Sequence, residues 1–269
     1  MKNSIRLLLA VMLAALPLIA AAQWNKKPYT DWSEKEALRL LTDSPWSQKQ
    51  TFTDTSKNAS VTTSRGAAQS TIADVINVTF TMRLFSARPV RQAIYRVMEL
   101  QRKGEMPEAM TKQLQAFAQA DFPDYVIVTV TCDGNASNLL QQAQSLLQKL
   151  KTVDLKNNTY LLTRDGQRIF LGEYQSPRND GFGARFVFPR VVGGKPLLAP
   201  DSGELLFHAE LGNGSKLNST ISNSDTLAGN TRPNPKLNTD MTSEVAANGF
   251  TLNTRFKVKE LMFDGKLEY

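Results

Sequence analysis

Hydrophobic and polar residues alternate strictly in a stretch near the middle of the chain. From Val78 to Leu84 every second residue is apolar, while Thr79, Thr81 and Arg83 occupy the positions between. A period of two is typical of a strand that buries one face. A second apolar run follows at Tyr125–Cys132. These two runs predict the central strands of the fold.

Four other stretches have the 3.6-residue period of amphipathic helices. The first begins at Ser33, which with Glu36 forms a capping box that satisfies free backbone N–H groups. Trp32 and Trp46 bracket this helix, and we expect both to be buried. Ser86 is expected to cap the second helix. The predicted helices are 33–43, 88–103, 107–119 and 137–150.

Beyond Asn157 the alternation of a sheet returns, and Asp165-Gly166 predicts a hairpin turn. Clean alternation is typical of antiparallel strands with one solvated face. We therefore predict a single α+β domain over residues 23–269, an antiparallel sheet with helices packed on one face. Its strands are Val75–Leu84, Tyr125–Cys132, Tyr160–Tyr174, Phe182–Phe188, Leu205–Leu211 and Leu252–Val258, with a further short strand at Lys49–Asp54.

Two polar stretches interrupt these patterns. Residues 55–70 are rich in Ser, Thr, Asn and Gly, and residues 212–249 are dominated by the same residues together with Pro. Loops longer than about 15 residues are uncommon in compact domains and are either disordered or functional. The composition predicts disorder in both stretches, and a lid is the alternative for 212–249.

The N-terminus has the three parts of a signal peptide. Lys2 and Arg6 give a positive start, Leu7–Ile19 is almost wholly apolar, and Ala20–Ala22 supplies the small residues of a cleavage site. The apolar run is shorter than the roughly 20 residues that span a bilayer. We expect residues 1–22 to direct secretion or export to the periplasm, with no transmembrane segment after cleavage.

The segment Trp32-Ser-Glu-Lys-Glu-Ala37, followed by Ser44-Pro-Trp46, is a further sequence signature. It resembles the start of a group of exported bacterial hypothetical proteins that carry this segment after a signal peptide. The resemblance implies export, and it implies no active site.

The charge and the cysteine content restrict the partners and the chemistry. The net charge is +7, and loss of Lys2 and Arg6 with the leader lowers it to +5. Such a charge favours anionic envelope polymers. Nucleic-acid readers interleave aromatic residues with basic ones, whereas the basic helix 88–103 contains a single aromatic residue, Tyr95. With one Cys and one His in the chain, we expect no internal disulfide, no zinc site and no other cofactor.

One arrangement for nucleophilic catalysis is formally available. Cys132 and His208 could pair, with Asp133 or an asparagine as the orienting group, and Cys132 precedes a helix start, where a thiolate is favoured. The strand phases oppose this pairing, because Cys132 shares a face with buried valines whereas His208 lies on the outer face of its strand. The chain contains no G-x-S-x-G and no glycine-rich nucleotide-binding motif.

Paired carboxylates are the remaining catalytic hypothesis, because a glycosidase needs two acids that any part of the fold can supply. The basic helix 88–103 could hold an anionic ligand, although a solvated face is the simpler interpretation. We interpret the chain as an exported non-enzymatic binding or scaffolding protein, with a secreted glycosidase-like hydrolase as the alternative. The candidate acids, each also interpretable as a turn or cap residue, are Asp31, Asp133, Asp165, Glu173, Asp180 and Asp201.

Overall fold

The computed structural model describes residues 24, 27–54, 76–102, 106–135, 138–212, 218–222 and 249–269. The predicted signal peptide and the polar stretch 55–70 lie outside the described residues, and so does most of 212–249. In the described part of the chain, no helix is long and apolar enough to cross a membrane.

The four predicted helices are present, and a fifth short one follows them. The capping box is confirmed, because the Ser33 hydroxyl accepts from the backbone N–H of Glu36 and the Glu36 carboxylate accepts from that of Ser33. The expected cap at Ser86 is wrong, since Ala87 is the N-cap and the Ser86 hydroxyl accepts from the backbone N–H of Ile127. The helices are α1 (Glu34–Thr42), α2 (Arg88–Gln101), α3 (Glu108–Gln119), α4 (Asn138–Lys149) and α5 (Thr152–Leu155).

All strand pairs in the described residues are antiparallel, and the strands form two larger sheets and two small hairpins. In chain order the strands are β1 (Ser47–Asp54), β2 (Ile76–Leu84), β3 (Tyr125–Gly134), β4 (Thr159–Thr163), β5 (Arg168–Phe170), β6 (Glu173–Gln175), β7 (Ala184–Pro189), β8 (Val191–Val192), β9 (Lys195–Pro196), β10 (Glu204–Gly212), β11 (Asn218–Ser222), β12 (Gly249–Lys257), β13 (Met262–Phe263) and β14 (Lys266–Leu267). Sheet A has the order β11-β1-β2-β3-β7-β6, and sheet B has the order β12-β10-β4-β5.

The inner faces of the two sheets pack against each other through phenylalanine rings. Phe250 of sheet B lies 5.2 Å from Phe52 and 5.0 Å from Phe80 of sheet A, measured between ring centroids. Phe186 and Phe207 make a similar contact across the sheets at 5.4 Å. The α+β class with antiparallel sheets is confirmed, but the strands expected in one sheet are divided between two. Each sheet buries its apolar face against the other, as in a sandwich.

The helices occupy two places around this sandwich. Helix α2 crosses the outer face of sheet A, and α1 and α3 pack against α2. Helix α4 contacts strands of both sheets and buries Leu139, Ala143 and Leu147. The outer face of β2 and β3 beneath α2 is therefore a second interface, separate from the sandwich core.

The stretch 212–249, predicted to be a disordered loop or a lid, contains a strand. Residues 218–222 form β11, which pairs with β1 at the edge of sheet A. Strand β10 precedes β11 in the chain and β12 follows it, and both belong to sheet B. The chain therefore passes from sheet B to sheet A, where it forms β11, and then returns to sheet B. The predicted loop therefore includes a segment that links the two sheets.

Candidate functional site

A hollow in the described part of the chain lies between α2 and the outer face of sheet A, and we call it the α2 cleft. Its volume is about 240 Å³. Four parts of the chain contribute to it: the end of α1, the end of β2, one face of α2, and β3 with the loop before β7. The lining residues are Leu41, Arg83, Phe85, Ile94, Val97, Met98, Gln101, Thr129, Asp180, Gly181 and Phe182.

The walls of the α2 cleft are apolar. Ile94, Val97 and Met98 are spaced three and four residues apart on α2, so they lie on one side of the helix. Phe85 and Phe182 pack against each other at the sheet end of the cleft, with ring centroids 5.5 Å apart. An aliphatic group is more stable in contact with these walls than in water.

The floor of the α2 cleft is polar, and Arg83 is its main feature. The Arg83 guanidinium donates from Nε to the carbonyl of Leu41 at 2.5 Å and from Nη1 to the Thr131 hydroxyl at 3.1 Å. Burial lowers the pKa of Arg83 to about 10, although the charge of Asp133 works in the opposite direction. Arg83 therefore stays charged at neutral pH, in a position where its charge is poorly hydrated.

An ion pair between Arg185 and the exposed residue Asp180 lies beside this floor. Strand register places Arg83, Thr129 and Arg185 opposite one another on β2, β3 and β7. Arg185 donates to the Asp180 carboxylate at 2.5 Å and lies over the rings of Phe85 and Phe182. Burial raises the pKa of Asp180, but the hydrogen bonds from Arg185 and from the backbone of Phe182 outweigh burial and bring this pKa below its usual value. Asp180 is therefore ionised and already neutralised by Arg185.

The arginines of the basic helix α2 do not form a solvated face or an open anion site. Arg91 is 1% exposed, donates to the carbonyls of Phe117 and Ala120, and lies over the Phe122 ring. Arg96 donates to the carbonyl of Trp32 at 2.7 Å and pairs with Glu99 at 2.6 Å. The interpretation of a solvated charge run is wrong for Arg91 and Arg96, because these side chains bind α2 to its neighbours, whereas Arg102 is exposed. Arg88 also binds α2 to its neighbours, through Glu268 and Asp264.

Cys132 and His208 lie on different sheets and do not meet. Cys132 belongs to the inner face of β3, where burial, with a smaller contribution from the charge of Asp133, raises the pKa of the thiol to about 11. His208 belongs to the outer face of β10, where it stacks on Tyr160 at 4.6 Å and shares a hydrogen bond of 2.7 Å with Asn253. The thiol is protonated at neutral pH and has no imidazole beside it, so a Cys–His nucleophile is not formed.

Two of the six candidate acids share a hollow. Asp165 and Asp201 both line an open cavity of about 450 Å³ at the β4–β5 turn. The hydrogen bond from the Thr163 hydroxyl, followed by that from the backbone of Gln167, lowers the pKa of Asp165. Asp165 is thus a turn residue, whereas a general acid needs a raised pKa.

The other four acids lie apart from this cavity. Asp31 is in the 3-10 turn Tyr29–Asp31, Asp133 is exposed near the end of β3, and Glu173 is exposed on β6. Asp180 belongs to the α2 cleft and to Arg185. The described residues contain no group of three or more His, Cys, Asp or Glu side chains that could hold a metal ion.

Sequence reasoning placed Arg83 on the polar face of β2 but did not identify it as part of a site, and it missed Thr129 and Met98. A signal was present, because Arg83 is the one charged residue on a strand face that otherwise carries Asn77, Thr79 and Thr81. This signal can be interpreted only once it is known that α2 packs over this face of β2. The hydrophobic periodicity of the sequence does not show which element covers the face. In comparisons with known proteins, the chain matches no family model, no curated protein and no solved structure.

Proposed function

We propose that this protein is exported to the periplasm or cell envelope, where it binds a small amphipathic molecule in the α2 cleft without transforming it. The observation that carries the proposal is the composition of the cleft, which has aliphatic and aromatic walls above a polar floor. Ligand sites typically combine a mainly apolar lining with a few placed polar groups and a titratable group of shifted pKa. Arg83 and Thr129 supply those polar groups here.

Export is supported by the leader pattern of residues 1–22 and by the resemblance carried by Trp32–Trp46. The binding role is supported by the distribution of reactive side chains. Cys132 and His208 lie on different sheets, and Asp165 has a lowered pKa. A protein with these features is better suited to holding a ligand than to activating one.

The test is to fill the cleft and measure binding. Met98 is half-buried on α2 and lines the cleft, so Met98→Trp should occupy part of its volume. We expect 1-octanol to bind the purified protein saturably in calorimetry, and Met98→Trp to weaken that binding about tenfold or more, since about 1.4 kcal/mol corresponds to tenfold.

Met110→Trp is the matched control, because Met110 is 37% exposed on α3 and lies outside the cleft lining. This variant should bind 1-octanol like the parent protein. Thermal unfolding of both variants separates a filled cleft from a damaged fold. Equal binding by the parent and Met98→Trp, or no saturable binding by any eight-carbon amphiphile, would contradict the proposal.

A secreted hydrolase with a carboxylate pair remains the second candidate, because Asp165 and Asp201 line one cavity. Retaining and inverting glycosidases both need a carboxylic acid that is protonated at the start of the reaction. Turnover of a glycan by the purified protein that is abolished in both Asp165→Asn and Asp201→Asn would favour this candidate. Absence of turnover on glycans and esters would retire it.

A further inference from the structure

We propose that the ligand of the α2 cleft carries an anionic head group, a carboxylate or a phosphate, that pairs with Arg83, and an aliphatic stem that lies between α2 and Phe182. This inference rests on the proposed function and names the chemical class of its ligand.

The charges of the cleft are unbalanced, which is the first reason. Among the described lining residues, Asp180 is the carboxylate of the cleft, and Arg185 already binds it at 2.5 Å. Arg83 has no carboxylate within ion-pair distance in the described part of the chain, although the charge of Asp133 acts on it from farther away. One positive charge therefore lacks a direct ion-pair partner in a cleft with apolar walls. A charge in such surroundings is stabilised by an opposite charge brought in with the ligand.

The hydrogen-bonding capacity of Arg83 is the second reason. A guanidinium has five N–H donors in a planar fork. Nε and Nη1 are used by Leu41 and Thr131, whereas Nη2 has no partner in the described ranges. The Thr129 side chain, which neighbours Arg83 in the strand register and is 1% exposed, also lines the cleft. A guanidinium with an unused edge matches the oxygens of a carboxylate or phosphate.

The contact with Leu41 gives Arg83 a structural role as well, and this role favours binding. Leu41 is in the last turn of α1, where backbone carbonyls lack helical partners and basic side chains commonly bond to them. This bond fixes the guanidinium in place before a ligand arrives. A preorganised donor loses less conformational freedom on binding than a mobile one.

The size of the cleft sets the length of the stem. At about 30 Å³ for each water-sized group, a volume of about 240 Å³ holds about eight such groups. We therefore choose eight-carbon probes that differ in the head group: octanoate, octyl phosphate, 1-octanol and octylammonium. We titrate the purified protein with each probe at pH 7 in a calorimeter. The measured affinities compare anionic, neutral and cationic head groups on the same eight-carbon stem.

We expect octanoate or octyl phosphate to bind about tenfold or more tightly than 1-octanol, and octylammonium to bind most weakly, because hydrogen bonds to charged groups contribute more than neutral ones. The order of octanoate and octyl phosphate identifies whether the site prefers a carboxylate or a phosphate. Arg83→Gln should weaken the preferred anion about 10- to 100-fold and change 1-octanol by less than about threefold. Arg83→Lys keeps the charge and should retain part of the preference.

Arg255→Gln is the control, because Arg255 is an exposed arginine on the outer face of sheet B, and it should bind all four probes like the parent. The comparison of probes on the parent protein decides the inference even if an Arg83 variant fails to fold. Equal affinity for octanoate, octyl phosphate and 1-octanol would overturn the anionic head group while leaving the proposed function intact. No saturable binding by any of the four probes would overturn both.

Discussion

Gln50 connects the two sheets through both atoms of its side-chain amide. Its Nε2 donates to the carbonyl of Thr251 at 3.0 Å, and its Oε1 accepts from the backbone N–H of Asn253 at 2.8 Å. Gln50 lies on β1 in sheet A, whereas both partners lie on β12, an edge strand of sheet B. The side chain is 1% exposed, so it replaces water at an edge that would otherwise carry unpaired backbone groups.

We expect Gln50→Ala to lower the free energy of unfolding by roughly 2–4 kcal/mol, because two part-buried backbone groups lose their partners and each such loss costs about 1–2 kcal/mol, the lower part of the range for buried groups. Urea denaturation followed by circular dichroism measures this change. Gln141→Ala is the control, since Gln141 is exposed on α4 and its substitution should stay within about 0.5 kcal/mol. A loss in Gln50→Ala no larger than in the control would show that Gln50 does not hold the sheets together.

At the scale of elements, Gly183 sets how closely the start of β7 approaches β3. Its φ is +80°, and an added Cβ would lie 2.3 Å from the carbonyl oxygen of Val130. Gly166 in the β4–β5 turn has a similar φ of +87° but no atom within 4 Å of the added Cβ. The two glycines therefore share the backbone requirement and differ in the contact with a neighbouring strand.

Gly166→Ala should lower the free energy of unfolding by about 1–2 kcal/mol, the strain of a left-handed residue. Gly183→Ala should lower it by at least about 2 kcal/mol more, because the clash forces strand β7 to shift against β3. Denaturant titrations of both variants measure the difference. Equal losses of unfolding free energy in the two variants would mean that β7 can shift away from β3 without cost. The close approach of the two strands at Gly183 would then not contribute to stability.

Helices and strands could be predicted from the sequence where a local pattern of neighbouring residues determines them. The capping box at Ser33 and the alternation of β2 and β10 depend on neighbours in sequence, and the structure confirms both. The cap at Ser86 was wrong because a tertiary partner, the backbone N–H of Ile127, took the hydroxyl. Strand β11 could not be predicted from its polar composition, and the structure shows it through its backbone pairing with β1.

At the scale of the whole molecule, the division into two sheets and the α2 cleft were beyond sequence reasoning. The alternation of apolar and polar residues in β2 indicates that one face of the strand is buried. It does not indicate which element covers that face. Here sheet B covers the inner face and α2 covers part of the outer face, so Arg83 and Thr129 become cleft residues. Sequence reasoning looked for acids, thiols and imidazoles that could meet, whereas the structure brings together an arginine and apolar walls.

Three carboxyl groups in distant parts of the molecule connect its stability to pH. The pKa of Asp165 and the pKa of Asp180 are both lowered. The Lys27 ammonium, with the backbone and hydroxyl of Ser33, lowers the pKa of Glu36 from 4.5 to about 2. A lowered folded pKa means that the unfolded chain binds more protons in this range. The contribution of each group is therefore present above its unfolded pKa and is lost as the pH falls through its folded pKa.

We expect the free energy of unfolding to decrease between about pH 4.5 and pH 2, and the Glu36→Gln variant to isolate one part of that decrease. The Glu36 side chain is 38% exposed, so solvent screening reduces its contribution to about 1 kcal/mol at pH 7. Urea titrations at pH 2, 3, 4.5 and 7 should show Glu36→Gln less stable than the parent at pH 7 and nearly equal to it at pH 2.

Glu108→Gln, at a carboxylate that is 81% exposed, is the control, and its free energy of unfolding should stay within about 0.5 kcal/mol of that of the parent at every pH. A Glu36→Gln difference that is the same at every pH would assign the loss to altered helix capping alone, rather than to the ionisation of Glu36.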